Sequence, residues 1–65
     1  MIEGLVTEYD VARGDGWVQS GAQSFYVHCV NVADGSRVLN VGSAVRGQRA
    51  VGRLGHDELV SVENV

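Results

Sequence analysis

The sequence predicts an all-β domain, a small five-stranded antiparallel Greek-key barrel, on three observations. Thirteen valines stand in short apolar runs, nine glycines punctuate those runs without one proline, and helical periodicity is absent. At 65 residues the chain is read as one domain, residues 1–65, with one small core. Such a core buries about 60% of the surface that the unfolded chain exposes, so a deep enzyme pocket is not expected. An open five-stranded sheet would leave valine-rich edges free to pair with other chains. Closure into a barrel removes that exposure.

The elements follow in order. Leu5-Val6-Thr7-Glu8-Tyr9 reads as the first strand and Ala12-Arg13-Gly14 as the turn out of it. Asp15 to Gln19 is the second strand, Ser20-Gly21-Ala22-Gln23 a hairpin turn, and Ser24 to Cys29 the third strand. Val30 to Asn40 carries the turn cluster Asp34-Gly35-Ser36 and reads as a long connection with room for one turn of 3₁₀ helix. Ala44 to Val51 is the fourth strand, Gly52-Arg53-Leu54-Gly55 a loop, and Glu58 to Val62 the fifth strand. A three-strand meander, a long link and two final strands are the pattern of the oligonucleotide-binding type of barrel, the OB-fold.

Two runs carry the functional signal, Arg13-Gly14-Asp15-Gly16-Trp17-Val18 and Phe25-Tyr26-Val27-His28-Cys29. With a period of two they put Trp17, Tyr26 and His28 on one face, and Val18, Phe25 and Val27 on the other. The second face makes a core, and the first shows rings to solvent. Such rings are a platform for unpaired bases, since stacking contributes about 1–3 kcal/mol per base. Asp15 shares the outward face and sets a carboxylate where a polyanion would lie.

Composition narrows the function classes. One cysteine, Cys29, excludes an intramolecular disulfide, and it has no metal-ligand spacing with His28 and His56, so neither metal nor cofactor is expected. No apolar stretch approaches the roughly 20 residues of a membrane span, and the first residues lack a basic region followed by an apolar one. A cytoplasmic setting is the expectation. A formal charge of −3 counts against a strongly phosphate-binding surface, but all five cations are arginines, whose planar fork suits phosphates and bases.

Over nearly its whole length the chain resembles the bacterial cold-shock proteins. Gly4-Leu5-Val6 and Tyr9-Asp10 match the first strand, and the Arg13 to Val18 run is similar to the first ribonucleoprotein motif, usually Lys-Gly-Phe-Gly-Phe-Ile. Phe25-Tyr26-Val27-His28 is similar to the second, usually Val-Phe-Val-His-Phe, and Gly42, Val45 and Gly52-x-x-Gly55 agree toward the end. The resemblance implies a barrel that binds single-stranded RNA or DNA, acting as an RNA chaperone or a regulator of transcription or translation. It implies binding through Tyr9, Arg13, Trp17, Tyr26 and His28, with Arg37 at a usually basic position. Glu8 stands where the family usually has Trp, Asp15 and Cys29 where it has Phe, and Ser36 near another loop Phe. Losing two or three stacking rings weakens binding by about two or more orders of magnitude. Glu8 and Asp15 add repulsion, although Asp15 has the chemistry to accept from the exocyclic amine of cytosine or guanine.

Other residues read as structural. Cys29 and His28 are strand neighbours, so they are expected to point to opposite faces, with no thiol-imidazole bond and no nucleophile. Cys29 reads as a small buried hydrophobe. His56-Asp57-Glu58 reads as a solvated turn, and Gly52-x-x-Gly55 as a hairpin loop without a following helix. No enzyme constellation emerges. The alternative function is a protein-interaction module that keeps the barrel but uses its acidic, tryptophan- and tyrosine-bearing face for a basic partner. A monomer or a strand-exchanged homodimer is compatible with a barrel built from hairpins.

Overall fold

The computed structural model describes residues 1–32, 39–52 and 55–65. It is a closed five-stranded barrel: β1 (Ile2–Asp10), β2 (Asp15–Ser20), β3 (Gln23–His28), β4 (Ala44–Val51) and β5 (Asp57–Asn64), in the ring order β1-β2-β3-β5-β4. A single 3₁₀ turn, Cys29–Asn31, leaves β3. The expected turn at Asp34-Gly35-Ser36, and Arg37 beside it, lie outside the described residues. No helix among the described residues is long and apolar enough to cross a membrane.

The barrel matches the fold class read from sequence, with one seam that departs from antiparallel pairing. Tyr26 of β3 meets Glu58 of β5 in parallel, while every other neighbouring pair is antiparallel. The reason is arithmetic. A ring with an odd number of strands cannot alternate direction all the way round, so one neighbouring pair must run the same way.

Strand β1 is longer than its apolar run because it serves two neighbours. Ile2 to Leu5 pair with β4, while Leu5 to Asp10 pair with β2. Between Val6 and Glu8 the register slips, so that Glu8 faces Trp17 and Tyr9 faces Gly16. Thr7 is the extra residue of this bulge, and its Oγ1 donates to the Trp17 carbonyl at 3.3 Å. A bulge bends a strand and raises its twist, which is how β1 passes from one neighbour to the other. A second bulge lies in β5, where Ser61 takes φ 53° between the Val60 and Glu63 pairings with β4.

The core holds Val6, Val18, Phe25, Val27, Val32, Leu39, Val45, Leu59 and Val62, every one nearly or fully buried. Period-two alternation thus holds in β2 and β3, where Val18, Phe25 and Val27 point inward. Burying each such side chain contributes roughly 1.5–3 kcal/mol, so the inward face of one hairpin supplies a large part of the driving force. Gly16 shares that inward face. A Cβ there would lie 2.8 Å from both the Tyr9 Cα and Cδ1 and closer still to the Glu8 carbonyl oxygen, so glycine is what lets β1 approach.

Two glycine substitutions separate steric from conformational demand. Gly16→Ala is expected to cost about 3 kcal/mol or more, because the backbone of β1 must move. Gly21→Ala, at φ 60° with open space around it, is expected to cost only about 1–2 kcal/mol. Urea unfolding of the two variants measures both, and equal losses would show that Gly16 is not a packing position.

Candidate nucleic-acid interface

The interface is built on the register of one hairpin. Asp15 pairs with His28 and Trp17 with Tyr26, and these four alternate with the inward Gly16, Val18, Phe25 and Val27. Trp17 and Tyr26 meet edge to face, centroids 5.6 Å apart at 73°. Such a pair contributes about 0.5–1.5 kcal/mol beyond the area it buries and holds both rings in place.

A fourth ring comes from the residue just before β5. His56 stands 5.8 Å from Trp17 at 90°. This corrects the reading of His56-Asp57-Glu58 as merely a solvated turn. Glu58 pairs with Tyr26 across the parallel seam, so His56, two residues earlier, comes to the same side. Gly55 at φ 78° turns the chain there, and the Gly52 amide donates to the His56 carbonyl at 2.8 Å. The result is a half-open groove lined by Trp17, Tyr26, His28, Val30, Asn31, His56 and Glu58.

His28 has a second duty. Its Nδ1 accepts from the Val30 amide at 3.3 Å and so caps the 3₁₀ turn. In the neutral ring the proton therefore sits on Nε2. The Cys29 Sγ lies 3.8 Å from the same Nδ1, contrary to the expectation that these neighbours diverge. The alternation that kept them apart stops at His28, where β3 ends and Cys29 begins the turn. The contact is long, and Nδ1 already serves Val30. Cys29 itself is half-buried rather than a core residue.

Tyr9 is set apart from this cluster. Its pairing with Gly16 puts it on the inward side, packed against the core at the barrel end. Burial, then the charges of Cys29 and Asp15, push its phenol above the ordinary range. It lines a second groove, with Glu8, Asp10, Arg13 and Asp15, and Trp17 lines both.

Asp15 is not the bare carboxylate that the sequence suggested. Its Oδ2 accepts from the Tyr26 hydroxyl at 2.8 Å and from Arg13 Nη2 at 3.1 Å, and its side chain is only 14% exposed. Arg13 is thereby drawn toward a carboxylate. Arg46 pairs with Glu63 at 2.9 Å and Arg49 with Asp57 at 3.4 Å, so every arginine among the described residues faces an acid. Each exposed pair contributes about 0–1 kcal/mol, but together they flatten the positive potential that phosphate contact needs. Among the described residues no group of three or more His, Cys, Asp or Glu is placed to hold a metal ion.

The Tyr26 hydroxyl gives the site a measurable pH signature. The hydrogen bond to Asp15 comes first among the causes that raise its pKa, followed by burial and the Asp15 charge. From pH about 10 upward the unfolded chain gives up this proton while the folded chain keeps it, so stability falls as pH rises. Below pH 10 the contribution is complete. Tyr26→Phe is expected to lose roughly 1 kcal/mol at pH 7 and to show a shallower decline above pH 10, part of which Tyr9 retains. Urea midpoints from pH 7 to 11 measure it, and identical slopes in the two proteins would remove the Asp15 bond from the account.

No protein-family model matches the chain, and no curated protein matches it, so function has to be read from the residues of this face.

Proposed function

We propose that this protein binds single-stranded RNA or DNA in the manner of a cold-shock domain, by stacking bases on Trp17, Tyr26, His28 and His56. The observation that carries the reading is that these four rings line one groove on an OB-type barrel, three of them, Trp17, Tyr26 and His56, in ring contact. Every base has a π-face, so such a surface accepts many sequences. A role as RNA chaperone or as regulator of transcription or translation, in the cytoplasm, belongs to the same reading. Arg13 is at the margin of the platform, but Asp15 engages it, so phosphate contact is a minor part of the affinity. Arg37 is outside the described residues and Tyr9 closes the barrel end, so neither supports the reading.

One observation favours a second reading, a module for a basic protein partner. With the described arginines paired, Glu8 and Glu58 leave the ring-bearing face acidic. The two readings differ in the sign of charge they prefer.

Titration of Trp17 fluorescence with short single strands at about 50 and 200 mM salt tests the proposal. Quenching is expected with a log-log slope no steeper than about −1.4, the value for two neutralised phosphates. No quenching at high-micromolar strand, with quenching by an arginine-rich peptide, would favour the second reading and sink the first. Trp17→Ala, followed by the anisotropy of a labelled strand because the only tryptophan is gone, is expected to weaken strand binding by about 1–3 kcal/mol and to cost the fold about 0.5–1.5 kcal/mol for the lost contact with Tyr26. Asp15→Asn releases Arg13 and is expected to steepen the slope by about 0.7. An unchanged slope would show that Arg13 does not reach the strand.

A further inference from the structure

Glu58 is the carboxylate that lines the ring-bearing groove, and among the described residues nothing pairs with it. Asp15, Asp57 and Glu63 each face an arginine, and Asp10 Oδ1 accepts from the Ala12 and Arg13 amides. Glu58 makes no hydrogen bond or ion pair with any described residue, yet it is half-buried in the wall of the groove. Its backbone pairs with Tyr26, so its side chain rises from the floor on which the rings stand. Gly52 leaves room for it. A Cβ at Gly52 would meet the His56 carbonyl oxygen first and would lie 2.7 Å from Glu58 Oε2 and 2.9 Å from its Cγ, so a larger residue disturbs both the loop backbone and the carboxylate.

An ionised carboxylate offers two acceptor oxygens and no donor. A base that stacks beside it gains only if it presents adjacent donors. Thymine and uracil flank their single N3–H with two carbonyl oxygens, which a carboxylate repels. Cytosine and adenine offer one amine beside a ring-nitrogen acceptor. Guanine alone sets N1–H and N2–H side by side, spaced for both oxygens of a carboxylate, and unpaired strands leave that edge free to be read.

We propose that Glu58 is a specificity-determining residue that selects guanine at the groove, accepting from N1–H and N2–H while the base stacks on the Tyr26 ring, to which Trp17 stands edge to face. This rests on the single-strand reading above. It reassigns the base contact that the sequence suggested for Asp15, whose Oδ2 is already held by Tyr26 and Arg13.

The experiment uses the whole chain and three six-nucleotide strands: all thymidine, one central guanosine, and one central inosine, which lacks the N2 amine. Affinities come from Trp17 fluorescence. Guanosine is expected to bind about tenfold more tightly than inosine, for the loss of one charge-assisted hydrogen bond. Glu58→Gln is expected to erase that difference while changing the all-thymidine affinity less than about threefold. Because inosine changes the ligand and not the protein, the comparison holds even if the variant folds poorly. Guanosine and inosine strands that bind alike, with thymidine binding intact, overturn the role of Glu58 and leave the platform standing. No binding by any strand overturns both. An arginine-rich peptide that loses its binding on Glu58→Gln, while the strands do not, also overturns it and assigns the carboxylate to a cationic partner.

Discussion

Five strands in a ring cannot alternate, and this constraint places the site. One seam must be parallel, and it falls between β3 and β5, where a single register pair, Tyr26 with Glu58, joins the strands. Parallel pairing requires a long crossover, which here runs from the 3₁₀ turn after β3 through β4 and into β5. Just past the end of β3 a second parallel bridge, Val32 with Val62, continues the seam. Side chains from both sides face each other across a groove: Tyr26 and His28 from β3, and His56 and Glu58 from the chain entering β5. An even-stranded barrel could pair every neighbour antiparallel and close that gap. The groove is thus a product of topology before it is a product of residue choice.

Within that frame, Asp15 decides how the face is charged. Its Oδ2 gathers the Tyr26 hydroxyl and the Arg13 guanidinium, and so converts a repulsive carboxylate into an anchor for one ring of the platform. The exchange works both ways. Arg13, 70% exposed and the cation beside the rings, spends its charge on a neighbour rather than on a ligand. Stacking surface is conserved and long-range attraction is reduced, which favours contacts made at short range after encounter over steering from a distance.

Much of this fold was legible in the sequence. The alternation of Trp17, Val18, Phe25, Tyr26 and Val27 is strict, and a one-residue slip would turn Val18 of β2, or Phe25 and Val27 of β3, into water, so the faces follow from hydrophobicity alone. The exceptions sit where alternation breaks. The Thr7 bulge carries Tyr9 to the inward side next to Gly16, and a bulge adds a residue without any necessary mark in composition. Cys29 meets His28 because β3 ends one residue earlier than its apolar run. His56 was invisible for a different reason. Its place beside Trp17 depends on β5 pairing with β3, Tyr26 with Glu58, a contact across 32 residues of chain, and on the φ of Gly55. Local pattern says nothing about either.

Asp15 and Glu58 show why residue type alone does not assign a role. Both are carboxylates on the same face, both beside Tyr26, and the first looked the more suspicious because it interrupts a ring motif. Neighbours reverse the order. Two donors already share Asp15 Oδ2 and the side chain is only 14% exposed, so a base that takes that oxygen displaces an existing donor and the exchange is close to neutral. Glu58 makes no hydrogen bond with any described residue, so what it gives up to a ligand is water. A stacked base strips that water whether or not it offers donors, so a base without them leaves a charge partly desolvated and unpaired. Selectivity then comes as much from the penalty on wrong bases as from attraction to the right one. A face with little positive charge is suited to that mode, since a strong phosphate field would hold every sequence and submerge the difference.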